Sequence, residues 1–247
     1  FGSMIRVGIA AVCGASVIAG RAAERAGRVQ QTEHPRLFFS EADVPGLREK
    51  VKSGIAGDAF QAMRKAADSY LALPTDPYQP LPDTPMLQDG SSGRAIQMHV
   101  WELALTGRLT DDRRYTDKAI AILDACCRDY PIAEYARALS HLQVGDAAIG
   151  YAVGYDWLHP FLSEEQRTML RHQIEAYGQW LYDESTRPDR QGHGHLFRSR
   201  LAHNHGAVVH GGLALAALAL GDREEWLNHA LRRCRLYLEH AIDRTGC

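Results

Sequence analysis

HGHLFRSRLAHNHGAVVHGGLALAALAL, residues 193–220, sets a polar, histidine-rich passage directly against the most apolar run in the chain. Five of the twelve histidines, His193, His195, His203, His205 and His210, fall here, with Arg198 and Arg200 among them. From Ala207 to Leu220 the residues are helix-compatible and apolar on nearly every face. Such a helix is buried on all sides rather than laid on a surface.

Immediately ahead of the apolar run, Asn204 is expected to be the N-cap, its side-chain oxygen accepting a first-turn N–H, with His205 as the first helical residue. Free N–H groups and the positive end of the helix dipole then face whatever lies in front, which favours a carboxylate or sulfate. The same field disfavours imidazolium, so His205 is expected to stay neutral and able to accept a proton. Gly206, Gly211 and Gly212 weaken the helix, and their expected return is close approach by another helix or a ligand. Asn is also a routine cap, and a first-turn histidine a common surface group, so context decides.

The 247 residues carry 28 Lys plus Arg against 30 Asp plus Glu, a formal charge of −2. No global basic field recruits nucleic acid. An anionic ligand needs a local patch, and Arg187, Arg190, Arg198 and Arg200 with the histidines form the densest one. Cys13, Cys126, Cys127, Cys234 and Cys247 describe neither a disulfide framework nor a zinc spacing. Cys126 and Cys234 read as small buried hydrophobes, and no cofactor is implied.

Residues 4–19 resemble a short secretory signal, one positive charge followed by a small-residue apolar run, and point to a periplasmic or secreted protein. That run is too short and too glycine-bearing to span a membrane. Residues 1–33 are therefore read as signal-like segment and linker, and 34–247 as one domain. His34-Pro35-Arg36 opens an extended segment, after which Ser40 or Asp43 caps a helix bearing Val44, Leu47 and Val51. Residues 57–73 form a second helix. Residues 74–93, with five prolines, form a long loop over the domain. Helices follow over 94–106, where His99, Trp101 and Glu102 stand out, then from a cap at Thr110 or Asp111, and over 143–157. Ser163-Glu164-Glu165-Gln166 is a capping box opening a helix with Leu170, Ile174, Tyr177 and Leu181 on one face. Residues 183–202 form a second polar loop. Gly221-Asp222 ends the apolar helix, and a last helix carries Leu227, Leu231, Cys234 and Leu238 on its expected core stripe.

Strand signals are nearly absent, so the class is all-α. A nearly all-round apolar helix beside an amphipathic one suggests inner and outer layers, the pattern of concentric helical hairpins in an incomplete α/α toroid.

Three segments, HPRLFFSEADVPGLR (34–48), GYAVGYDWLHPFLSEEQR (150–167) and NHGAVVHGGLALAALAL (204–220), together resemble the N-terminal domain of the heparinase II/III-like polysaccharide lyases, a group that includes alginate and oligoalginate lyases. The resemblance brackets most of residues 34–245. It implies an incomplete α/α toroid followed by β-sandwich modules that would lie past Cys247. It also implies cleavage of a uronate-containing polysaccharide, a glycosaminoglycan such as heparan sulfate or alginate. In the family an asparagine neutralises the uronate carboxylate, an adjacent histidine takes the C5 proton, and a downstream tyrosine acts as acid or as base. Asn204 and His205 match the first two, and the tyrosine would fall just past Cys247. The His203-Asn204-His205 arrangement leaves either histidine as the functional one.

Abstracting a proton next to a carboxylate puts a second negative charge on that carboxylate, so the site needs donors to hold the dianion. Asn204, helix amides and Arg198 are suited to this. A neutral base must reach C5 and an acid must protonate the leaving oxygen; His205 suits the first role, and His203 or Tyr155 the second. Trp101, Tyr155 and Trp157 are of the type that stacks on sugars, although aromatics at helical spacing are more often core. The candidate substrate contacts are thus Arg198, His203, Trp101, His99 and Tyr155. A hydrolase would instead use carboxylates such as Glu102, Asp146 and Asp156, Asp156 reading equally well as a buried hydrogen-bonding residue. A metal site at His193-x-His195 and His203-x-His205 is opposed by the neighbouring arginines. A non-catalytic sugar-binding domain is the remaining alternative.

Overall fold

Glycine decides how closely the helices approach, and it is concentrated where the chain packs most tightly. The structure, a computed structural model, describes residues 33–76, 78, 92–133, 141–187 and 203–241. These fall within one compact unit, Glu33–Cys247. A 3-10 turn, Glu41–Asp43, leads into α1 (Val44–Lys50), followed by α2 (Gly54–Tyr70), α3 (Ser92–Thr110), α4 (Arg113–Asp129), α5 (His141–Leu158), α6 (Glu164–Thr186), α7 (Asn204–Leu220) and α8 (Glu224–Ala241). The described residues are all-α, and none of their helices is long and apolar enough to cross a membrane. The signal-like stretch, Arg198, His193 and His195 lie outside the described residues.

Residues 143–158 of α5 are buried without a break, so α5 is the central helix. α3 and α7 pack along its two sides, and α2, α4, α6 and α8 form a second layer over these three. Gly150 and Gly154 of α5 admit α3: a Cβ there would stand 3.0 Å from Gln97 N and 2.8 Å from Val100. Gly145 admits α7 in the same way, 3.1 Å from Val208 O. The pairs Gly93 with Gln143, Ile96 with Gly150 and Val100 with Gly154 advance together, so α3 and α5 run parallel. α7 runs parallel to them, because Gly145 meets Val208 near one end while Arg36 bridges Asp156 and Ala219 at the other. The N-termini of α3, α5 and α7 therefore share one end of the layer.

α7 holds together as its Ala- and Leu-rich sequence dictates, and it stops at Gly221, whose φ of 79° only glycine adopts without strain. Of the three glycines inside it, only Gly212 meets a neighbour among the described residues, its Cβ position lying 2.7 Å from Gly145 O; a Cβ at Gly206 or Gly211 meets none of them. Gly212→Ala is expected to cost about 1–3 kcal/mol, because a backbone carbonyl cannot swing aside. Gly211→Ala is expected to leave stability unchanged or raise it by about 0.5–1 kcal/mol. Thermal denaturation of the two variants side by side checks both values.

The Ser163 capping box forms as read, Gln166 N–H donating to Ser163 Oγ at 3.2 Å and Ser163 N–H to Gln166 Oε1 at 3.0 Å. Leu170, Ile174, Tyr177 and Leu181 are buried together on α6. α8 corrects the expected stripe. Trp226 and Ala230 face the core, whereas Leu231 is 46% exposed and Leu227, Cys234 and Leu238 are half-buried. Gly178 of α6 is the cause: without a side chain it leaves room for the Trp226 ring, which turns α8 by about one residue.

At the C-terminal end of the central layer, Asp156 organises the segment that precedes α1. It is 0% exposed and accepts from the Arg36 N–H at 3.1 and 3.0 Å, the Leu37 N–H at 2.8 Å and His34 Nδ1–H at 2.5 Å. Arg36 Nη2 donates to His34 Nε2 at 2.7 Å and to Ala219 O at 3.1 Å, and Trp157 Nε1 donates to Leu37 O at 3.0 Å. Asp156 is thus the buried hydrogen-bonding residue that its place before Trp157 suggests.

Candidate functional site

α7 opens one residue earlier than its sequence suggests, and the change alters what Asn204 does. The N-cap is His203, with extended backbone (φ −89°, ψ 136°), and its Nδ1 accepts the N–H of His205 at 3.3 Å. An accepting Nδ1 places the proton of a neutral ring on Nε2. Asn204, expected to cap, is instead the first helical residue and is exposed, its carboxamide released from that duty. His205 is half-buried, its ring edge-on to that of His203 with centroids 4.7 Å apart.

Two turns into α7, His210 is buried at 1% exposure and donates from Nδ1 to Gly206 O at 2.8 Å; burial pushes its pKa down to about 3. His210 is a neutral core group.

Three of the expected substrate contacts lie elsewhere. His99 is buried, hydrogen-bonded at Nδ1 to Tyr78 OH at 2.6 Å and packed on Tyr70, and burial pushes its pKa down to about 4. Its polarity is satisfied between α2 and α3. Trp101 packs edge-on against Trp157, with Phe38 over it at 5.4 Å. Tyr155 is buried edge-on to His34 and His159, at the end of α5 opposite its His141 terminus. His99 and Tyr155 are core and Trp101 is half-buried against it, as helical spacing favours. Glu102, a candidate hydrolase carboxylate, pairs with the Tyr70 hydroxyl, and burial pushes its pKa up. Of the candidate contacts, His203 stands beside Asn204 and His205, and Arg198 lies outside the described residues.

What sequence reading misses is a polar seam between the first turns of α3 and α5. Arg94 Nη1 donates to Asp146 Oδ1 at 3.2 Å, joining the two helices. Asp146 is 3% exposed, and its pKa is pushed up to about 6, burial raising it against the opposing pull of the Arg94 guanidinium. Gln143 and Gln97 each stand three residues from the pair along its own helices, each with a buried Oε1 that accepts no hydrogen bond among the described residues. Asp146 follows Gly145, the residue on which α7 packs, so the seam and Asn204 share one end of the layer. At this end His141 also approaches Glu184 at 3.6 Å, with Trp180 tilted over its ring. Among the described residues no three His, Cys, Asp or Glu side chains gather where they could hold a metal ion.

The seam has a measurable cost. Asp146 ionises in the fold at about 6 rather than 3.8, so its contribution is fully present below pH 4 and is lost as pH rises through 6. The difference is on the order of 3 kcal/mol. Asp146→Asn is therefore expected to gain stability relative to the wild type on going from pH 4.5 to 7.5. Urea denaturation of both proteins at the two pH values checks this. The comparison isolates Asp146 from His99, His159 and His210, whose burial as neutral rings works in the opposite direction.

A scan against protein-family models and a search of curated proteins returned no match to the chain.

Proposed function

We propose that the chain is a polysaccharide lyase of the heparinase II/III-like kind, cleaving a uronate-containing polysaccharide by β-elimination. The observation that carries this reading is the exposed Asn204 carboxamide at the positive mouth of a mostly buried helix, with an imidazole on either side. Three parallel central helices under alternating outer ones support an arc of an incomplete α/α toroid. A secreted or periplasmic location accompanies the reading, since its substrates are extracellular polymers.

Elimination runs as follows on these residues. Asn204 Nδ2–H and the positive end of the α7 dipole hold the uronate carboxylate as it gains charge. His205 takes the C5 proton, the C5–H electron pair becomes the C4=C5 double bond, and the C4–O bond breaks. The departing oxygen takes a proton, for which His203 Nε2–H is the donor available among the described residues. The product carries a 4,5-unsaturated uronate.

The test is to incubate the chain with alginate, hyaluronan and heparan sulfate and to follow ultraviolet absorbance and reducing ends together. A lyase raises both, a hydrolase raises reducing ends alone, and a binding domain raises neither.

A further inference from the structure

We propose that Arg94 is a second contact for the uronate polymer, gripping the sugar next to the one that reacts, and that Asp146 positions it. This deepens the lyase reading and rests on it.

Arg94 lies in the first turn of α3, and α3, α5 and α7 present their N-termini at one end of the layer. Its guanidinium leans onto α5, where Asp146 holds one nitrogen at 3.2 Å. The side chain keeps 30% of its surface exposed, and among the described residues its bond to Asp146 uses one of five guanidinium donors, so others can take a second partner. Helices packed across glycine lie about 8 Å apart. Arg94, resting on α5, and Asn204, at the mouth of α7, therefore lie at the same end of two adjacent helices, where one polymer crossing the helix ends meets both.

The surroundings fit a ligand better than a structural ion pair. Asp146 and Gln143 are both more than nine-tenths buried, yet among the described residues Gln143 Oε1 accepts no hydrogen bond, and neither does Gln97 Oε1 one turn along α3 from Arg94. A buried amide oxygen without a donor is costly unless something supplies one. Sugar hydroxyls are donors of the right kind. Asp146 is itself held at a cost to the fold, with Arg94 as its cation. A carboxylate kept on those terms fixes the direction of the guanidinium, which is what two-point recognition of an acidic polymer needs.

The experiment measures kcat and KM of the full chain on whichever of alginate, hyaluronan or heparan sulfate it turns over, for Arg94→Ala, Arg94→Lys and Asp146→Asn. Arg94→Ala is expected to raise KM about tenfold to hundredfold, the worth of one charge-assisted hydrogen bond, with kcat within about twofold. Arg94→Lys should fall between Ala and wild type, and Asp146→Asn should raise KM while the fold stays as stable or becomes more so at pH 7.5. An unchanged KM in Arg94→Ala, or a fall in kcat alone, overturns the proposal while leaving the Asn204 and His205 assignment intact. Where Arg94→Ala does not fold, Arg94→Lys and Asp146→Asn decide on the same terms. Should the wild type neither turn over nor bind any of the three polymers, the lyase reading itself fails and takes this inference with it.

Discussion

Asp156→Ala is expected to lower stability by about 3–5 kcal/mol, the cost of stripping one partner from a buried, fully bonded charge network. Asp156 accepts from two backbone N–H groups and from His34 Nδ1, and each would be left facing a cavity without an acceptor. The loss spreads further. Arg36, oriented through this network, also reaches Ala219 O at the end of α7, so the segment before α1 ties α5 to α7. For a domain of this size the change corresponds to a drop in Tm of about 10 °C or more. Thermal and urea denaturation measure it, and a variant within about 1 kcal/mol of wild type would mean that the network is replaceable. Asp156→Asn keeps one acceptor oxygen and should fall between the two. The proposed site lies at the other termini of α5 and α7, so the folded fraction of either variant should keep whatever turnover the wild type has per molecule.

The largest effect on activity is expected at His205. His205→Ala removes the proposed base and should slow elimination about a hundredfold to ten-thousandfold. Asn204→Ala removes the carboxamide donor proposed to meet the developing dianion and should cost about a hundredfold to a thousandfold. Neither change should unfold the protein, because His203 and not Asn204 caps α7, and Asn204 is exposed. Circular dichroism should therefore superimpose on wild type. His205→Ala should keep its affinity for the polymer, since a base acts chiefly in the transition state.

Local sequence reveals some parts of the molecule and not others. The capping box at Ser163, the Leu170, Ile174, Tyr177 and Leu181 face and the stop at Gly221 depend on residues within a few positions of each other, and they are present as read. Helix ends shifted where two caps competed. Asp112 rather than Thr110 or Asp111 caps α4, because Asp111 turns to a φ of 59° and Asp112 accepts the Arg114 N–H at 3.0 Å. The core face of α8 was not legible, since stripes beginning at 226 and at 227 have the same period. A glycine 48 positions away, Gly178, chooses between them.

The same limit applies to the site. Asn204 and His205 stand out because the residues around them are local, whereas Arg94 and Asp146 meet across 52 positions. Residues 141–158 carry two acidic groups, Asp146 toward the site end and Asp156 toward the other, and only the packing against α3 shows what Asp146 faces. Trp101, His99 and Tyr155 drew attention by residue type, and burial gave each a structural partner instead.

The most direct test of the central claim is the initial rate of ultraviolet absorbance from an unsaturated uronate, measured for wild type and for His205→Ala on the same polymer. The account predicts a steady rise for wild type and a rate at least about a hundredfold lower for the variant, at equal helicity. Equal rates from the two proteins, or no absorbance from wild type on any uronate polymer, would contradict it.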